Sequence, residues 1–137
     1  LSGPLLDRID LLVTVARPDA RALAQAPLTS TAVVRERVLA ARERQQARLA
    51  GTRIHANAQL GARLLRAHVR IDAPVQRALT QAYEHGHLSA RGHDRVLRVA
   101  RTIADLADRD AVRLDDVLQA LALRTREAPD AEDAAVA

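Results

Sequence analysis

Residues 89–110 read SARGHDRVLRVARTIADLADRD. This stretch decides the fold. Ser89 is a good helix N-cap, and the residues after it repeat at helical spacing. The spacing predicts a helix over about 90–107. Val96, Val99, Ile103 and Leu106 fall on one side of the wheel. Arg91, Arg95 and Arg98 fall within about 60° of one another on the other side. One face packs and the other presents three guanidiniums. Arg91 sits in the first turn, where the helix dipole disfavours a cation unless an anion compensates. Guanidinium forks and free helix N–H groups both suit phosphate oxygens. The plainer reading is a solvated face, with Asp94–Arg98 and Asp105–Arg109 as i,i+4 pairs.

The neighbouring segments are helical too. A helix is expected over roughly 31–49, capped by Ser30 or Thr31 and ended by Gly51. Val34, Val38, Ala41 and Gln45 form its inner stripe, and Arg35, Glu36, Arg42 and Glu43 face away. A short helix around 58–67 carries Leu60, Leu64 and Leu65. Asp72 caps the next one, with Pro74 in its first turn, Val75, Leu79 and Ala82 inward, and Gly86 at its end. A last helix over about 115–124 turns Val117, Leu118 and Leu121 inward. From Thr125 the chain is alanine, proline and acid, which predicts a disordered tail.

The first residues differ. LSGPLLDRIDLLV (Leu1–Val13) has turn chemistry at Ser2-Gly3-Pro4 and a short helical turn with Arg8 between Asp7 and Asp10. Ile9–Val15 is aliphatic and β-branched, so it reads as a strand. A lone strand needs a sheet, and no other convincing strand follows. The chain also lacks Met, so this string reads as the interior of a longer protein. The expected class is therefore mainly α: a bundle of four to five helices with one residual N-terminal strand from an α/β core. The expected divisions are 1–28, 29–124 and the tail 125–137.

Composition narrows the chemistry. There is no Cys, Met, Phe or Trp, and Tyr83 is the one aromatic. Disulfides and thiolate metal sites are excluded, and base stacking has no support. All 21 basic residues are arginine. Residues 1–124 hold 20 of them against 13 acids, a net +7 that suits phosphates of nucleotide or nucleic acid. No apolar run is long enough to span a membrane, and a cytoplasmic location is expected. His85, His87 and His93 lack the carboxylate or thiol spacing of a metal set, so no metal site is expected.

Two segments together, SGPLLDRIDL (Ser2–Leu11) and LSARGHDRVLRVARTIADLA (Leu88–Ala107), resemble the C-terminal part of the magnesium-chelatase-like AAA+ ATPases, within them the ComM/YifB branch. NAQL (Asn57–Leu60) and DDVLQALALR (Asp115–Arg124) support the same reading. The resemblance covers roughly residues 1–124. It implies an end of the ATPase core followed by a helical lid. It implies that Arg8 is an arginine finger, reaching in trans to nucleotide on an adjacent subunit. It implies that Arg91 is the sensor-2 arginine on the γ-phosphate. Arg98 is a weaker phosphate candidate, from the wheel alone.

The chain contains no GxxxxGKS or GxxxxGKT and no apolar strand ending in paired acids. ATP and Mg²⁺ are therefore expected in a full-length parent, with no cofactor held and no ATP hydrolysed by this chain alone. The resemblance further implies a ring of parent copies, a hexamer, that acts on DNA by branch migration. Two alternatives stay open: the ATPase subunit of a true magnesium chelatase, and a non-enzymatic basic module that binds DNA.

Overall fold

The structure is a computed structural model and describes residues 9–25, 29–86 and 88–124. Arg8, His87 and the tail 125–137 lie outside the described residues. The helices are α1 (Ala20–Ala24), α2 (Thr31–Arg48), α3 (Ala62–His68), α4 (Ala73–Glu84), α5 (Ala90–Leu106) and α6 (Leu114–Ala122), with a 3₁₀ turn at Asn57–Gln59. The mainly helical expectation holds. No described helix is long and apolar enough to cross a membrane.

The starts of these helices are written in their caps. Ser30 Oγ accepts from Val33 N, Asp72 from Val75 N at 3.0 Å, and Ser89 from Gly92 N at 3.0 Å. Each satisfies an N–H that has no partner within its helix. At α6 the reciprocal device operates: the Asp116 carboxylate accepts from Arg113 N at 2.8 Å. At the 3₁₀ turn, Gln59 Oε1 reaches back to His55 N and Ala56 N.

Helix α5 is the axis of the bundle, and α2, α3, α4, α6 and the 3₁₀ turn all pack on it. Its inner face is built from Val96, Leu97, Ala100 and Ala104, and small alanines let neighbours approach closely. Around them close Leu49, Leu60, Leu65, Val75, Leu79, Leu88, Val112, Val117 and Ala120. The core is wholly aliphatic, so it relies on methyl interdigitation rather than ring stacking.

Helix α5 ends on a non-glycine residue in the left-handed region, Asp108 at φ 55°. Arg109 N donates to Ala104 O, and Asp108 N donates to Asp105 O. This is the Schellman pattern, with aspartate in the place glycine usually takes. The turn exposes the carbonyls of Arg109 and Asp110, and Arg101 collects both through its two terminal nitrogens.

Three expectations need correction. The strand over Ile9–Val15 is absent; the described residues contain no strand. A strand needs a partner edge, and the helices offer only isolated carbonyls. Leu12 N finds one of them, Leu123 O, at 2.7 Å. Leu11, Val13 and Val15, alternate along the segment, remain exposed. Second, Val34 and Val38 are not inward: residues 31–40 of α2 run past the end of the bundle and are all exposed. Only Ala41 and Gln45 of that stripe are buried. Third, two leucines expected inward are exposed: Leu118, because α6 turns Val117 and Ala120 to the core instead, and Leu106, because α5 packs through Val96, Leu97, Ala100 and Ala104.

Candidate functional site

The N-terminal end of α5 carries the candidate phosphate ligands. Arg91 is exposed in the first turn, and it makes no hydrogen bond or ion pair with any described residue. Arg95 is engaged: its Nη1 lies 2.9 Å from Asp10 Oδ1. Arg98 is engaged as well, through Nε to Asp94 O at 3.2 Å and Nη1 to Ala58 O at 3.4 Å. The three guanidiniums share a face, as the spacing predicts, but of the three only Arg91 has no partner among the described residues. Arg98 contacts the Asp94 carbonyl rather than its carboxylate, so the expected Asp94–Arg98 ion pair is not formed.

A fourth arginine joins this end from α6. Arg124 donates to the Ile9 carbonyl, and its Nη2 lies 3.5 Å from where a Cβ on Gly92 would sit. Gly92 is buried against Leu88 and Ser89, whose side chains lie 3.1 and 3.2 Å from where a Cβ would sit, so a side chain there would crowd those two residues, while Arg124 lies at ordinary contact distance. Arg124 had no sequence signal as a site residue; it arrives through the return of α6 alongside α5. Residues Ile9, Asp10 and Leu12 are thus tied to Arg124, Arg95 and Leu123 respectively. Arg8, the expected finger, lies outside the described residues.

The opposite end of α5 holds a buried polar cluster. The Asp105 carboxylate, its side chain fully buried, accepts from both terminal nitrogens of Arg48 at 2.7 Å. It also accepts from Arg101 Nη2 at 2.8 Å and from Asn57 Nδ2 at 2.8 Å. Asn57 is held in turn by Gln45 Oε1 on its N–H and by Thr102 Oγ1. Desolvation lowers the Arg48 pKa from the usual arginine value, Asp105 opposes that, and Arg101 and Arg44 reinforce it. Nε of Arg48 and of Arg101 are buried without a partner. The expected Asp105–Arg109 pair is replaced: Arg109 grips Asp116 with both terminal nitrogens, at 3.0 and 2.6 Å.

This cluster is structural chemistry rather than a reactive centre. Both oxygens of the Asp105 carboxylate are occupied by guanidinium and amide donors. Asn57, singled out above within NAQL, is the residue that pins the 3₁₀ turn to α5. Among the described residues no three His, Asp or Glu side chains gather as a metal set.

The sequence profile described as magnesium chelatase, subunit ChlI C-terminal, matches residues 28–124. An uncharacterized protein of Mycobacterium tuberculosis is 44% identical over 124 residues, covering 90% of this chain and 25% of the relative. The uncharacterized protein YifB of Escherichia coli is 36% identical over 126 residues, 90% of this chain and 24% of the relative. The competence protein ComM of Haemophilus influenzae is 35% identical over 131 residues, again 90% and 24%. The chain therefore spans about a quarter of the length of these relatives. It belongs to the family of the C-terminal domain of the magnesium chelatase ChlI subunit, alongside proteins of the YifB and ComM type.

Proposed function

We propose that this chain is the C-terminal lid of a magnesium-chelatase-like AAA+ ATPase of the ComM/YifB type. In this reading it supplies arginines to ATP bound elsewhere in the parent ring, most simply a hexamer in the cytoplasm working on DNA. The observation that carries the reading is Arg91: an exposed, uncommitted guanidinium on the first turn of a long helix. Neighbouring charges are already tied up, so this one is available to an external anion. Arg124, beside the same turn, adds positive potential. A donor set of this kind fits a terminal phosphate, since guanidinium and helix N-terminus both favour anions.

Bound ATP with Mg²⁺ would supply the reactive γ-phosphoryl group; this chain supplies charge and position. Arg91 acts as sensor 2 and holds a γ-phosphate oxygen. Arg8 acts as the finger on a neighbouring subunit's nucleotide, an arrangement worth ~10³–10⁵ in rate where it operates. The Asp10–Arg95 pair and the Arg124–Ile9 contact support the link between them, because they fix the segment that follows Arg8 onto the helix that carries Arg91. Arg98, already bonded to two carbonyls, is at most a secondary contact.

The test uses the full-length parent. Arg8→Ala and Arg91→Ala should each lower ATP turnover by two orders of magnitude or more, on the order of an arginine finger's contribution. Wild-type turnover in both variants would exclude the assignment. A chelatase assay with partner subunits separates the true magnesium-chelatase reading from the DNA-processing one.

A further inference from the structure

Residues 44–71 contain six arginines (Arg44, Arg48, Arg53, Arg63, Arg66, Arg70), two histidines and no acid. The fold places four of these eight residues around one cleft. It lies between the C-terminal end of α2, helix α3 and the turn after α5, with a volume of about 530 Å³. Arg44, Arg48, His68 and Arg70 line it, together with one acid, Asp110. Arg63 stands one turn before Ala67, a lining residue, and so shares that side of α3.

The cations differ in how firmly they are committed. Arg48 is consumed by Asp105. Arg44 holds Asp108 at 2.7 Å and Asp110 at 2.9 Å, but both carboxylates are almost fully exposed. Such pairs are screened and are worth about 1 kcal/mol or less. A phosphate could displace them. Arg63, Arg70 and His68 have no partner among the described residues. Unpaired arginines around a concave surface focus positive potential.

We propose that this cleft and the adjoining side of α3 bind the phosphate backbone of a nucleic acid. No Phe, Tyr or Trp lines the cleft, and Tyr83 is on α4, so contact is chiefly with phosphates rather than with stacked bases. Binding is accordingly insensitive to sequence and steeply dependent on salt. The surface is distinct from the ATP-directed end of α5. Arg91 and Asp105 are separated by about 21 Å along the helix axis, and Arg48 sits at the Asp105 end. The inference stands independently of the ATPase reading.

The test uses this chain and a short fluorescein-labelled DNA duplex, followed by anisotropy across a salt series. The double substitution Arg63→Gln/Arg70→Gln should weaken binding by about tenfold or more and flatten the log–log salt slope by about two. Arg35→Gln/Arg42→Gln removes the same charge from the opposite side of α2 and should bind as the wild type does. Equal losses in the two double variants, or none in the first, would overturn the site. If the first variant fails to fold, ¹⁵N shifts of the wild-type chain decide instead. DNA should move the Ala47, Ala67 and Ala111 amides; shifts clustered elsewhere contradict the site. Inorganic tripolyphosphate at matched phosphate concentration should move them less. An equal response would make this a small-anion site and overturn the nucleic-acid assignment.

Discussion

Arg48 closes on Asp105 with both terminal guanidinium nitrogens at 2.7 Å, fastening the last turn of α2 to the last turn of α5. The carboxylate is buried and shared with Arg101 and Asn57. Removing one partner leaves the others charged and dry. Arg48→Ala and Asp105→Ala should each cost about 3–5 kcal/mol in urea unfolding. A loss under 1 kcal/mol in both would show that water already screens the cluster.

The turn after α5 makes a second, sharper prediction. Asp108 occupies the left-handed region at φ 55°, and its pair with Arg44 is exposed. Asp108→Gly should leave stability unchanged or slightly raised. Asp108→Val should lose about 1–2 kcal/mol, because a β-branched residue resists that conformation. Thermal unfolding of the two variants compares them directly.

The tie at the N-terminal segment is electrostatically weak but local. Asp10 is about half exposed, so Asp10→Asn should change global stability by less than about 1 kcal/mol. It should nevertheless loosen the segment behind it. Exchange of the Leu12 amide, bonded to Leu123 O, should accelerate while amides within α5 do not. Unaltered Leu12 exchange would mean that the Asp10–Arg95 pair holds nothing in place.

The exposed half of α2 separates surface valines from core ones. Val34→Ala and Val38→Ala should stay within about 0.5 kcal/mol of wild type. Leu79→Ala, fully buried, should cost about 2–5 kcal/mol. Chemical denaturation of the three variants checks whether residues 31–40 contribute to the bundle.

Much of this was legible in the sequence because local signals act locally. Ser30, Asp72 and Ser89 mark helix starts that the structure reproduces, and the period of Val75 and Leu79 marks a buried face. Long-range partners were not legible. Arg48 and Asp105 are far apart in the chain, and their meeting depends on the angle at which α2 crosses α5. The i,i+4 rule nominated Asp105–Arg109, yet the left-handed turn at Asp108 swings Arg109 toward Asp116. Apolar pattern likewise suggested a strand at Ile9–Val15. Pattern reports what a segment can bury, and the sheet edge it requires is not present among the described residues. At the candidate site, the sharing of one face by Arg91, Arg95 and Arg98 was legible. Which of them remains uncommitted was not, because Asp10 and Ala58 come from elsewhere in the chain.

The central claim is that Arg91, and not its neighbours on the same face, serves the nucleotide. The most direct measurement is ATP turnover of the full-length parent carrying Arg91→Ala, compared with Arg98→Ala under saturating ATP. The account predicts a fall of about a hundredfold or more for Arg91→Ala, with Arg98→Ala within about threefold of wild type. Equal, wild-type-like turnover in the two variants would contradict it.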